Sequence, residues 1–112
     1  MNRIQFYKKI NEFAKTHHMK CTLGTDYYGW SVCVEYAFSD GFCKIRRSET
    51  YMVKEREGGK VNYVSRRIHD GRCRYSGDGY GIFEQKPIFL EDLCYKFLKE
   101  LEDSYRYYQP IT

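Results

Sequence analysis

Hydrophobic side chains occupy every second position of the range Trp30–Phe38, with small or polar residues between them. Strict alternation is typical of a β-strand with one buried face, because successive side chains point to opposite sides of the strand. The dipeptide Asp40-Gly41 follows and favours a two-residue hairpin turn. The pattern therefore predicts a β-hairpin over residues 30–45.

A two-residue turn fixes the pairing of the two strands. It places Ser39 opposite Phe42, Phe38 opposite Cys43, Tyr36 opposite Ile45 and Glu35 opposite Arg46. Beyond this point the same register would put Arg47 and Glu49 on the face meant for the core. We therefore predict a β-bulge near Arg46-Arg47 or an end of the pairing there. Local rules often fail at functional sites, so this junction is a candidate site.

Two amphipathic helices are predicted at the ends of the chain. Residues 3–17 carry apolar side chains at three- and four-residue spacing, and Asn2 is placed to cap this helix. Residues Ile88–Tyr108 carry a longer apolar stripe of about five turns, which begins after Pro87. Both stripes are typical of helices that pack on a sheet.

The other predicted elements are shorter or less certain in type. Residues 48–57 fit a strand or a short helix, and the β-branched and aromatic residues within them favour a strand. The remaining predictions are a strand at Met19–Leu23, a turn at Gly58-Gly59, a strand at Lys60–Ile68, a turn at Asp70-Gly71, short edge strands at Arg72–Tyr75 and Tyr80–Glu84, and a loop at Ser76–Gly79 between them.

These elements predict one α+β domain over residues 1–112. It has an N-terminal helix, a four- or five-stranded antiparallel sheet and a C-terminal helix, with both helices on one face of the sheet. No stretch reaches the ~20 apolar residues of a membrane helix, so we expect no membrane partner. Five scattered cysteines without an export signal indicate reduced thiols and a cytoplasmic location.

Charge is distributed unevenly, although the net charge is only +4. Residues 42–75 contain ten Lys or Arg and four acidic residues. The candidate binding residues are Lys44, Arg46, Arg47, Arg66, Arg67, Arg72 and Arg74, with Tyr63, Tyr75 and Tyr80 among them. Arginine grips phosphates or carboxylates, and tyrosine rings can stack on bases. The alternative is a solvated sheet face with cross-strand pairs such as Glu35–Arg46.

Candidate catalytic and metal-binding groups do not form a recognisable motif. His69-x-x-x-Cys73 and His17-His18 lack the paired short spacings of a zinc site. His69 and Asp70 with a neighbouring thiol would fit a nucleophilic centre, but such triplets arise by chance in this composition. The glycine-rich residues 77–81 do not open into a helix, as a dinucleotide-binding loop must. We therefore expect no cofactor, no metal and no enzymatic activity.

The order helix, strands, helix resembles that of double-stranded RNA-binding domains. In that family the second helix begins with a lysine-rich motif that grips phosphates. At the matching place this chain has Pro87-Ile-Phe-Leu-Glu-Asp, which is apolar and acidic. The resemblance therefore extends to topology and not to the activity.

A compact, cysteine-reduced α+β chain of this size also resembles the small phage-encoded inhibitors of bacterial defence nucleases, the anti-CRISPR type. Such proteins occupy a surface on a larger nucleoprotein. Many are acidic mimics of DNA, whereas this chain is basic, so the resemblance implies contact with a protein surface or a guide RNA. Our leading hypothesis is thus a non-enzymatic protein that regulates or inhibits a larger protein or ribonucleoprotein partner. Direct nucleic-acid binding by the same basic residues is the alternative, and the sequence does not define the oligomeric state.

Overall fold

The computed structural model describes residues 1–25, 29–55, 60–72, 75–82 and 87–111 of the chain. Its elements in chain order are α1 (Arg3–Thr16), β1 (Lys20–Thr25), β2 (Trp30–Ser39), β3 (Lys44–Glu55), β4 (Lys60–Arg72), β5 (Tyr75–Ile82), β6 (Pro87–Phe89) and α2 (Leu90–Tyr108). Among the described residues, no helix is both long enough and apolar enough to cross a membrane.

Five strands form an antiparallel sheet in the order β1-β2-β3-β4-β5, so each strand pairs with its neighbour in the sequence. The short strand β6 pairs with the first residues of β4 and was not predicted. The predicted α+β class, with an antiparallel sheet between an N-terminal and a C-terminal helix, is confirmed.

Both helices pack on the face of the sheet that carries Trp30. The ring of Phe6 in α1 meets Trp30 edge-on, with centroids 5.3 Å apart. The ring of Phe97 in α2 lies 4.1 Å from that of Tyr51 in β3. All four side chains are buried, and together with the apolar positions of β2 they form one hydrophobic core. The predicted placement of both helices on one face is therefore confirmed.

Local side-chain bonds start α1 at its predicted place. The Asn2 Oδ1 accepts a hydrogen bond from the backbone N–H of Gln5, and the Gln5 Oε1 accepts one from the N–H of Asn2, both at 2.9 Å. This reciprocal capping satisfies two backbone donors that a helix start leaves without partners. α2 has no such side-chain cap, and it follows directly from β6.

The β2–β3 hairpin has a four-residue loop, and the predicted two-residue turn is wrong. Ser39 pairs with Lys44 and not with Phe42. The Asp40 Oδ1 accepts hydrogen bonds from the backbone N–H groups of Phe42 and Cys43, both at 2.9 Å, which stabilises the longer loop. The register shifts by two residues. Because side chains alternate with a period of two, each one keeps its predicted face.

The predicted bulge or break near Arg46-Arg47 is also wrong. β2 and β3 pair without interruption from Trp30 opposite Val53 to Ser39 opposite Lys44. The irregularity of β3 lies between Met52 and Val53, in its pairing with β4. Arg47 and Glu49 therefore remain on the helix-covered face, where partners from β4 and α2 compensate their charges, as described below.

The second half of the chain contains longer strands than predicted. Residues 48–55 continue β3, which confirms the strand over the helix. The Asp70-Gly71 turn is wrong, because β4 runs to Arg72 and only its register against β5 shifts there. Residues 75–82 form one strand where a loop between two short edge strands was predicted. Pairing with β4 overrides the turn preference of their glycines. The predicted turn at 58–59 and the predicted strand end at 83–84 lie outside the described residues.

Candidate binding surface

Alternation distributes the basic residues over two faces of the sheet. Residues directly opposite each other on neighbouring strands share a face. Arg46 lies between Ala37 and Gly71, whereas Arg47 lies between Tyr36 and Asp70. We call the face away from the helices the open face. Its described residues are Lys20, Thr22 and Gly24 of β1, Ser31, Cys33, Glu35, Ala37 and Ser39 of β2, Lys44, Arg46, Ser48, Thr50, Met52 and Lys54 of β3, and Arg67, His69 and Gly71 of β4.

The open face is basic. Its exposed cations are Lys20, Lys44, Arg46, Lys54 and Arg67, and His69 is also exposed on this face. None of these cations forms an ion pair with another residue in the described part of the chain. The predicted Glu35–Arg46 pair does not form, because the register places Glu35 opposite Ser48 and Lys20. Glu35 is the single acidic residue among the described open-face positions.

A shallow depression of about 570 Å³ lies on the open face. It is lined by Lys20, Glu35, Lys44, Arg46, His69 and Gly71, among others. Gly71 lies opposite Arg46 and contributes no side chain, so it leaves space beside the guanidinium. Lys20, Lys44 and Arg46 bring three positive charges to the space, and Glu35 brings one negative charge. Arg47 also lines it, but its charge is paired with Asp70. The excess of positive charge gives the space the electrostatics of an anion site.

Arg47 lies on the helix-covered face and is fully engaged there. Its Nε and Nη2 donate to the two carboxylate oxygens of Asp70 at 2.7 and 2.8 Å. Its guanidinium lies 4.1 Å from the ring centroid of Tyr108 and 5.0 Å from that of Phe38. The hydrogen bonds to Asp70 raise the pKa of Arg47 further above its usual high range. Arg47 therefore ties β3 to β4 and to the end of α2.

Arg66 lies between two carboxylates on the same covered face. Its Nη2 donates to the Oε1 of Glu49 at 3.2 Å, and its Nε lies 2.6 Å from the Oε2 of Glu100 in α2. Glu49 is 0% exposed, and its Oε2 accepts a hydrogen bond from the Tyr36 hydroxyl at 2.6 Å. One arginine thus lies within ion-pair distance of two acids, one on the sheet and one on the helix, and donates a hydrogen bond to the first of them, Glu49.

The shared cation leaves this cluster with an excess of negative charge. Burial raises the pKa of Glu100 to about 7, and the neighbouring carboxylates of Glu49 and Asp103 add to the effect. Burial, followed by the charge of Glu49, raises the pKa of the Tyr36 hydroxyl, so Tyr36 keeps its proton at neutral pH and donates a hydrogen bond to the carboxylate. Arg66, Glu100 and Asp103 line a groove of about 380 Å³ together with Tyr107 and Tyr108.

The structure therefore divides the predicted binding residues. Lys44, Arg46 and Arg67 come together on the open face. The expectation that Arg47 and Arg66 join them is wrong, because both bond to carboxylates under the helices. Arg74 and the side chains of Arg72, Tyr63, Tyr75 and Tyr80 lie outside the described part, so the tyrosines predicted for this face stay a prediction.

The candidate catalytic residues are separated by the sheet. His69 lies on the open face, opposite Ser48, whereas Asp70 lies on the covered face and bonds to Arg47. Asp70 therefore does not orient the neighbouring His69. Burial raises the pKa of the Cys33 thiol on the open face and raises that of Cys21 to about 12, which keeps both thiols protonated. Among the described residues, no group of three or more His, Cys, Asp or Glu could hold a metal ion.

Three members of the open face, Lys20, Lys54 and His69, were not predicted as binding residues. Lys54 lies in residues 48–57, for which the pattern left a strand and a short helix open. Lys20 precedes Cys21 in the alternating pattern of β1, so that pattern already assigned it to the solvent side. His69 was considered only as a catalytic or metal-binding group, because the predicted turn at Asp70-Gly71 removed it from the sheet. A longer β4 would have placed it beside Ser48.

Comparison of the chain with protein families, with curated proteins and with solved structures found no match. The function must therefore be argued from the surface itself.

Proposed function

We propose that this chain is a non-enzymatic binding protein that regulates or inhibits a larger protein or nucleoprotein through the open face. The observation that carries the proposal is the set of exposed cations without ion pairs in the described part of that face. A solvated face of a small sheet is usually balanced by cross-strand pairs. Here the register separates Arg46 from Glu35, so the charge is left for a partner.

The positive charge of the open face favours a partner with a negatively charged surface. Complementary potentials steer association and favour one partner over others. A surface rich in carboxylates or phosphates fits this face, and the resemblance to phage-encoded inhibitors of defence nucleases suggests a nucleoprotein. A cytoplasmic site of action belongs to the same proposal, because the described cysteines, Cys21, Cys33, Cys43 and Cys94, are all free thiols.

Charge reversal on the open face tests the proposal. The tagged chain captures partners from a lysate of the source organism, in parallel with the variant Arg46→Glu/Arg67→Glu. We expect the specific partner to be lost, because two attractive contacts become repulsive. Circular dichroism of the purified variant checks that the fold is intact.

The matched control is Arg3→Glu/Arg106→Glu, which makes the same change in net charge at exposed positions of the two helices. The control should capture the same partner as the native chain. Equal capture by the open-face variant and the control would show that the open face is not the binding surface.

A further inference from the structure

The cations on the two faces of the sheet differ in whether they have carboxylate partners. On the covered face, Arg47 makes a two-point contact with Asp70, and Arg66 reaches two carboxylates. Arginine meets protein carboxylates in this way, by local and directed bonds. On the open face, five cations have no carboxylate within ion-pair distance in the described part of the chain: Lys20, Lys44, Arg46, Lys54 and Arg67.

These cations are spread along the strands. Lys44 and Lys54 are ten residues apart on β3, and Arg67 lies between them, directly opposite Thr50. At about 3.3 Å per residue, the charged positions extend over roughly 33 Å. A nucleic-acid duplex carries a phosphate charge about every 1.7 Å along its axis. A spread row of cations matches such a continuous polyanion better than it matches single carboxylates on a protein.

The side chains between the cations also favour this partner. Protein interfaces are anchored by aromatic side chains that fill pockets on the other molecule. No aromatic side chain occurs at the described open-face positions. Between the cations the open face carries mainly small side chains: Ser31, Cys33, Ala37, Ser48 and Thr50. A nucleic-acid backbone needs no apolar anchor, because phosphate contacts position it and supply most of the affinity.

We propose that the open face binds the phosphate backbone of a nucleic acid, and that the depression beside Arg46 and Lys44 holds one of its phosphates. The inference rests on the proposed function and identifies the part of a nucleoprotein that the face contacts. The missing side chain at Gly71 gives a phosphate access to Arg46, and the Ser48 hydroxyl and the His69 ring line the same space.

The salt dependence of binding to labelled 20-base-pair DNA and RNA duplexes tests the inference by fluorescence anisotropy. Four phosphate contacts, from Lys44, Arg46, Lys54 and Arg67, predict a log–log slope of about −3.6, which is about a 150-fold loss of affinity between 50 and 200 mM salt. Arg46→Ala should reduce the magnitude of the slope by about one unit. Arg106→Ala, on the exposed side of α2, should leave both the affinity and the slope unchanged.

A second variant, Glu35→Gln, tests whether removal of a negative charge from the open face strengthens duplex binding. Glu35 lies opposite Lys20 and offsets its charge. Glu35→Gln removes this carboxylate, so Lys20 becomes available as a fifth contact, and the slope should steepen to about −4.5 with tighter binding. Weaker or unchanged duplex binding by Glu35→Gln would contradict the proposed contact surface.

Competition by polyglutamate of matched charge distinguishes binding to phosphates from binding to carboxylates. The inference predicts that it competes with the duplex at least tenfold more weakly than an unlabelled duplex does. Equal competition, or no duplex binding at 50 mM salt, would overturn the phosphate assignment. If the open-face variant loses its captured partner while the native chain does not bind a duplex, the proposed function stands and the partner presents an acidic protein surface. If the open-face variant still captures the partner and the native chain does not bind a duplex, both proposals fail.

Discussion

Arg66 and Arg67 are adjacent in the sequence and face opposite sides of β4. Arg66 is largely buried between the acids of β3 and α2, whereas Arg67 is exposed on the open face. Glu49 is 0% exposed, so removing Arg66 would leave a buried carboxylate with the Tyr36 hydroxyl and without its cation. The cost of an uncompensated buried charge is much larger than the contribution of an exposed arginine.

Single alanine substitutions should separate the two arginines. We expect Arg66→Ala to lower the free energy of unfolding by about 3–5 kcal/mol, because Glu49 and Glu100 lose their shared partner. Arg67→Ala is the matched control and should change it by no more than about 0.5 kcal/mol. Urea denaturation at pH 7 measures both values. Similar losses for the two variants would contradict the assignment of Arg66 to the fold and Arg67 to the surface.

The elements with a clear periodicity of hydrophobic residues could be predicted from the sequence. The alternation of β2 and the helical stripes of α1 and α2 each depend on a single buried face, so their type and orientation follow directly. The loop of the β2–β3 hairpin could not be predicted, because it depends on two backbone hydrogen bonds to Asp40. The pattern also could not show that Arg47 and Glu49 belong on the covered face, since their partners come from β4 and α2.

The candidate binding surface could be predicted in part, because alternation assigned a face to each residue of the hairpin but not to each residue of β4. Alternation placed Lys44 and Arg46 on the solvent side of the hairpin, and the structure agrees. Adjacent arginines such as Arg66-Arg67 must face opposite sides of a strand, but the sequence did not show which of them is covered. The pairing of Arg66 with Tyr51 decides that question.

α2 carries a pH-sensitive contact to the sheet. The pKa of Glu100 is raised from its ordinary value of 4.5 to about 7 in the folded protein. Between these values the folded state binds more protons than the unfolded state, so this group lowers the stability as the pH rises from 4.5 to 7. Its stabilising effect is complete below pH 4.5 and lost above pH 7. A shift of about 2.5 units corresponds to at most about 3 kcal/mol.

Glu100→Gln should remove this dependence. We expect the difference in free energy of unfolding between the variant and the native chain to move in favour of the variant by up to about 3 kcal/mol from pH 4.5 to pH 8. Asp103→Asn removes one neighbouring negative charge and should lower the pKa of Glu100. The pH range over which the stability changes should therefore become narrower. Denaturation at several pH values measures the difference. A difference that stays constant with pH would contradict the raised pKa.

At the scale of the molecule, the sheet separates the core from the surface that we propose for binding. Its covered face holds the apolar core and the paired charges, and its open face holds cations without ion pairs among the described residues. Substitutions of the open-face cations should therefore leave the fold intact. Substitutions on the covered face should affect α1, the sheet and α2 together, because all three contribute to one core.

Phe97→Ala tests whether that core unfolds as one unit. Phe97 is fully buried and contacts the rings of Tyr51 and Phe6, so its truncation should cost about 3–5 kcal/mol. Trp30 is the only tryptophan and packs against Phe6, so its fluorescence reports on the contact between α1 and the sheet. Far-UV circular dichroism reports on the helices. Both signals should shift to the same lower midpoint, because a cooperative core loses all its contacts together. Separate midpoints would show that α2 leaves the sheet before α1 does.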